Sequence, residues 1–245
     1  MRGVEVSPLG GTFMKFIVFR TSAYFLIFSM FLYLSVSFLP ILNEYLRYYF
    51  DQMTGRTYEV DDLKPILPTQ TSTSSETGPL TNETLPQIAK PSNSRTLNLI
   101  PVSTDFGLVI EKLGINVPIV VDVDSSDYRA YTNALRNGVV HAKGSAYPGN
   151  PGNIFIHGHS SLGFWQLGKY ATVFTNLSKL EKGDKVIAFY EGKRFDYIVS
   201  DISIVPGYDI NPLLRDYDES VLTLQTCDPP GTTLNRLIIT ARLTK

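Results

Sequence analysis

Residues 220–243 read SVLTLQTCDPPGTTLNRLIITARL, and their pattern decides the fold. Leu237, Ile239, Ala241 and Leu243 alternate with Arg236, Ile238, Thr240 and Arg242, the period of a strand with one apolar face. Upstream, SVLTLQTC is a second strand-like run that ends at Cys227. From Asp228 to Asn235 the chain carries Pro229, Pro230 and Gly231, a turn composition. If the two runs pair as a hairpin, Cys227 and Arg236 meet across its mouth. The face of Val221, Thr223, Gln225 and Cys227 is not uniformly apolar, which suits a strand lining a groove.

Short apolar segments of the same kind recur upstream, at 107–113, 115–121, 137–141, 153–159, 185–191 and 194–205. Turn signals separate them, among them 148–152 (PGNPG), Gly183-Asp184 and Glu191-Gly192. This spacing predicts an antiparallel barrel or sandwich. Two stretches read as helices instead: 126–136, and 170–180 with Val173, Phe174, Leu177 and Leu180 at helical spacing. Residues 105–245 are thus expected to form one domain with its own core.

The N-terminal part is of another kind. Residues 21–42 contain no charge and are rich in Phe, Leu, Ile and Tyr. About 20 such residues span a bilayer as a helix. The run is too long for the apolar region of a signal peptide, and Pro40-Ile41-Leu42 does not resemble a cleavage site. Lys15 and Arg20 precede it, while Glu44, Arg47 and Asp51 follow. The positive-inside rule then makes 1–20 cytoplasmic and the rest external. Residues 43–104 are expected to be an extracellular stalk, since 62–97 is dominated by Thr, Ser, Pro and Asn.

The formal net charge is −1, with no basic excess to meet phosphates, so no nucleic-acid partner is expected. One cysteine excludes an internal disulfide and leaves either a buried thiol or a reactive one. Cys227 ends a strand beside a Pro/Gly loop, with Arg236 close by. The run NIFIHGH (153–159) supplies His157 and His159 on one strand face. Cysteine with histidine makes an activated nucleophile for acyl transfer. The same three side chains could instead contribute to a zinc site, if carboxylates completed the shell.

LTLQTCDPPGTTLNRLIITARL resembles the C-terminal signature of sortases, in which a T-L-x-T-C strand is followed by an arginine opening the last strand. GNIFIHGHSS resembles the histidine motif of the same family. The resemblance covers about 105–245 and implies a mainly β, closed antiparallel barrel of about eight strands with one or two short helices. It further implies a cysteine transpeptidase with Cys227 as nucleophile, His159 as acid/base and Arg236 stabilising the reacting carbonyl. Thr226 and His141 are weaker candidates for substrate or oxyanion support, and a hydrogen-bonded structural role competes for His141. Implied partners are secreted proteins with an LPxTG-like C-terminal sorting motif, an amine of a cell-wall precursor or a pilin-type lysine, and the lipid bilayer. No cofactor is needed. Many sortases carry arginine after the Gly-His pair; here Ser160 and Ser161 follow. A catalytically silent binding domain of the same fold is the alternative.

Overall fold

A computed structural model of the protein describes residues 9–60, 96–160 and 168–244. The chain enters as α1 (Leu9–Thr54), one helix of 46 residues with Pro40 inside it. At 1.5 Å per residue it is about 70 Å long, more than twice a bilayer's hydrocarbon thickness. Its candidate span is Val18–Val36, with none of that window buried in the protein. This sits slightly N-terminal of the 21–42 expected from charge alone. Two short strands, β1 (Thr57–Val60) and β2 (Thr96–Leu99), then pair in parallel.

Eight further strands form the barrel. They are β3 (Phe106–Ile110), β4 (Ile115–Val123), β5 (Val139–Ala142), β6 (Gly152–His157), β7 (Lys185–Tyr190), β8 (Lys193–Pro206), β9 (Ser220–Asp228) and β10 (Asn235–Leu243). The barrel closes in the order β10-β8-β7-β3-β4-β5-β6-β9. It is mixed rather than wholly antiparallel, because β4–β5 and β6–β9 pair in parallel. Parallel neighbours need crossover connections. Between β4 and β5 that crossover is α2 (Tyr128–Asn137), whose first turn is capped by the Asp127 carboxylate accepting from the Arg129 and Ala130 amides.

Alternate residues of each strand fill the interior. Ile154 and Ile156 of β6, Leu222 and Leu224 of β9, and Leu237, Ile239 and Ala241 of β10 join one buried cluster with Leu108, Ile110 and Val186. A slip of one residue in any of these strands would turn its apolar set outward, so the core fixes the register. The opposite face of β6 and β9 carries a buried polar link. Thr223 Oγ1 donates to Asn153 Oδ1 at 2.7 Å, and Asn153 Nδ2 donates to the Pro212 carbonyl at 2.9 Å, within α3 (Asn211–Leu214).

Two expectations are corrected. The stretch 170–180 is not an α-helix but a series of turns ending in a 3-10 turn at Leu177–Lys179. Its amides close back by three residues, as in Ala171 to Gly168 and Val173 to Tyr170, and the Phe174 amide leaves the segment to donate to His159. Residues 43–60, read as the start of a stalk, are helix and strand docked on the barrel, with Tyr48 packed against its core. Residues 61–95 of the expected stalk, and Phe164 and Trp165, lie outside the described residues.

Thr223→Val keeps the side-chain volume but leaves the buried Asn153 Oδ1 unpaired. It is expected to lower stability by about 1–3 kcal/mol, measured by chemical denaturation.

Candidate active site

The ladders around β9 decide which side chains meet. Antiparallel pairing sets Arg236 of β10 directly opposite Cys227 of β9. On the other side, β6 runs parallel to β9 and pairs His157 with Gln225. The contact continues past the strand end: the Gly158 amide donates to the Gln225 carbonyl at 3.0 Å, and Thr226 Oγ1 donates to the Gly158 carbonyl at 2.8 Å. The next residue on each chain is His159 and Cys227, so histidine and cysteine lie level with each other. Cys227 and Arg236 occupy the strand face turned away from the main core, and His159 follows the end of β6. Cys227 and His159 are half-buried, as is Arg236.

Thr226, a candidate for direct substrate support, is buried, and its hydroxyl is spent on the Gly158 carbonyl. It joins the strand that carries the sulfur to the chain that carries the imidazole. Gly158 itself has a steric reason. A Cβ there would enter the ring of Phe174, a fully buried residue. The glycine before His159 therefore lets the chain press against that ring.

Arg236 is held at one nitrogen. Its Nη1 donates to the Asn235 carbonyl at 3.0 Å and to the Thr233 carbonyl at 3.3 Å. Among the described residues no carboxylate pairs with it, Asp228 included, so its other donors remain available. The loop carrying it is braced by Gly207, whose amide donates to the Leu234 carbonyl at 2.8 Å.

His141 takes no part in this rim. Its ring is fully buried and stacks on Tyr147 at 4.8 Å. Nδ1 accepts from the Asp122 amide at 3.3 Å, and Nε2 donates to the Ala146 carbonyl at 2.9 Å. This is the hydrogen-bonded structural position weighed against a substrate role. His157 is close to the site but engaged elsewhere: Nδ1 is 3.3 Å from Gln225 Nε2, and the ring meets Tyr131 edge-on at 6.0 Å. Among the described residues no three His, Cys, Asp or Glu side chains form a cluster able to hold a metal.

A cleft of about 140 Å³ opens beside His159, walled by Tyr128, Tyr131, Thr132 and Leu135 of α2 and by Gly168 and Ala171. Burial pushes the His159 pKa down to about 4. Burial does the same for His157, helped by the nearby Arg236 charge, also to about 4. The Tyr131 hydroxyl is pushed up to about 12 by burial and by Cys227, against the pull of Arg236, so it stays protonated. Tyr131 was not singled out by the sequence. It lies in an expected helix, but no pattern there marks the face turned to β6.

The sequence model of the Sortase domain family matches residues 108–244, more than half of the chain. The chain belongs to the sortase family. It is 31% identical over 122 residues to Sortase D of Bacillus subtilis (strain 168), a match covering 50% of this chain and 53% of that relative. The chain thus aligns with about half the length of this curated sortase. Among solved structures, sortase C-1 from Actinomyces oris superposes with TM-score 0.49 at 28% identity, covering 59% of this chain and 76% of that one. A Clostridium perfringens Sortase D5 transpeptidase superposes with TM-score 0.48 at 27% identity, covering 58% and 79%.

The neutral histidines of this sortase carry a pH signature. Between pH 6.5 and 4 the unfolded chain binds protons that the folded chain refuses. Stability is therefore full above pH 6.5 and falls as pH drops through that window. At about 1.4 kcal/mol for each pH unit separating folded and unfolded pKa values, His157 alone accounts for roughly 3 kcal/mol. Melting temperatures measured from pH 7 to 4 should fall for the wild type and fall less steeply for His157→Asn.

Proposed function

We propose that this sortase is a membrane-anchored cysteine transpeptidase acting outside the cell on secreted proteins with an LPxTG-like C-terminal sorting motif. The observation that carries the reading is the pairing of Cys227 with Arg236 across one ladder, while the Gly158 contacts to Gln225 and Thr226 bring His159 level with Cys227 on the other side. A nucleophile, a base and a cation then border one point where a peptide carbonyl can sit.

In the proposed reaction the neutral His159 imidazole takes the proton of Cys227 as Sγ attacks the scissile carbonyl. The C–O π pair moves onto oxygen, and the Arg236 guanidinium stabilises that charge. Preorganised donors of this kind lower barriers by about 3–4 kcal/mol. Collapse of the tetrahedral species breaks the C–N bond, and His159 returns its proton to the leaving amine. The acyl group is now a thioester on Cys227. An incoming amine, from a cell-wall precursor or a lysine of another surface protein, loses a proton to His159 and attacks. The second tetrahedral species collapses by breaking the C–S bond, which releases the new amide, and His159 returns its proton to the sulfur. Tyr131, held protonated beside the sulfur and the guanidinium, offers an O–H to the same region. Thr226 acts as a positioning residue through Gly158.

The charge asymmetry around α1 supports a cytoplasmic N-terminus and an external barrel. A catalytically silent binding domain would tolerate loss of the thiol, whereas an acyl-transfer enzyme would not.

With a sorting-motif peptide and an amine acceptor, Cys227→Ala should give no ligation product. His159→Ala and Arg236→Ala should each lower kcat/KM by about 10²–10³ or more while the fold persists by circular dichroism. Undiminished ligation by Cys227→Ala would overturn the reading. Because Cys227 is the sole cysteine, a membrane-impermeant maleimide on intact cells should label the wild type at this position. Labelling only after cell lysis would contradict the orientation.

A further inference from the structure

Residues 174–176 touch the His159 segment on one side and α1 on the other. On the inner side, the Phe174 amide donates to the His159 carbonyl at 2.9 Å, and the Phe174 ring fills the space beside Gly158. Thr175 Oγ1 donates to the Ser160 carbonyl at 2.5 Å. Three consecutive residues of the histidine segment, Gly158 to Ser160, are held this way. On the outer side, Asn176 Nδ2 donates to the Glu44 carbonyl of α1 at 2.9 Å. Lys179 Nζ reaches the Tyr49 hydroxyl at 3.3 Å and lies over the rings of Tyr45 and Tyr49.

The helix is tied at a second place. The Tyr58 hydroxyl donates to Asp51 Oδ2 at 2.8 Å, and the Val60 amide donates to Glu111 Oε1 at 2.8 Å. Two separated ties fix the direction of α1 against the barrel as well as its position. Between Val36, the end of the candidate span, and Glu44, whose carbonyl accepts from Asn176, lie seven residues of helix, a rise of about 12 Å. The membrane span and the histidine segment are therefore joined by continuous structure. The turns at 170–176 close by three residues only and have no regular ladder of their own. Neighbouring elements must set their position.

We infer that the membrane-proximal part of α1 is a positioning element for His159, acting through Asn176 and the 174–179 segment. The inference rests on the transpeptidase reading above. It makes the anchor part of the active-site scaffold, beyond holding the enzyme at the surface. Release of α1 lets 174–176 relax, loosens the His159 carbonyl, and admits water to the imidazole.

The test uses the full chain in lipid nanodiscs, with a sorting-motif peptide and an amine as substrates. Asn176→Ala cuts the tie from the barrel side. The double variant Tyr45→Ala/Tyr49→Ala removes the Lys179 contacts from the helix side and keeps the test open if Asn176→Ala does not fold. Each should lower kcat about fivefold or more, since small misplacements of a catalytic group are costly, with KM within about twofold. The His159 ring is followed by NMR titration in a Cys227→Ala background, where turnover plays no part. Its midpoint, about 4 with the helix docked, should move up toward 6.5 in both variants. An unchanged kcat, or a fall in kcat with the His159 midpoint unmoved, would overturn the inference. Failure of the catalytic reading would show separately, as ligation by Cys227→Ala, and the titration would still report on the contact.

Discussion

The parallel ladder between β6 and β9 governs this site, because it fixes how the histidine segment lies against the strand that carries Cys227. Ile154 and Ile156 on one strand, and Leu222 and Leu224 on the other, commit alternate residues to the interior. With those fixed, the intervening positions must face away from the core, Cys227 among them, and His159 follows two residues past the end of β6. Arg236 joins them because Leu237, Ile239 and Ala241 impose the same parity on β10. A one-residue slip would bury the sulfur and expose leucines. The free energy that specifies the site is thus largely apolar burial in the layer beneath it.

Around that frame, polar contacts set finer position. Thr226 and Gly158 close the gap between strand ends, and Phe174 presses the histidine segment from above. Burial then holds the imidazole neutral at pH 7, ready to accept a proton. The guanidinium is anchored at one nitrogen and open at the others. A cleft lined by α2 leads to the histidine. The candidate membrane span lies in the same continuous helix that contacts the 174–179 segment.

Much of this was legible in the sequence where a local rule acts. The alternation in 236–243, the Pro/Gly loop and the Cys227 and Arg236 positions at strand ends predict a hairpin, and β9 and β10 pair in that register. The choice of His159 over His157 came from the family resemblance, since both share one strand face. Contacts made between distant segments left no local mark. Residues 170–180 have helical spacing, yet two of their donors are drawn to His159 and Ser160, fifteen residues away. Residues 43–60 border a polar stretch and carry no local sign that Tyr48 packs on the barrel core while Tyr45 and Tyr49 meet Lys179. Parallel pairing at β4–β5 and β6–β9 depends on crossovers, which short turn signals do not encode.

The central claim is that the Cys227 sulfur forms a covalent bond to the substrate acyl group within this three-residue rim. Intact-protein mass spectrometry of the enzyme, acid-quenched during turnover of a sorting-motif peptide, tests it most directly. The account predicts a mass increase equal to the N-terminal fragment of the cleaved peptide, located on Cys227 by digestion and discharged by added amine. Steady turnover with no adduct on Cys227, when the quench is fast enough to trap thioesters, would contradict it.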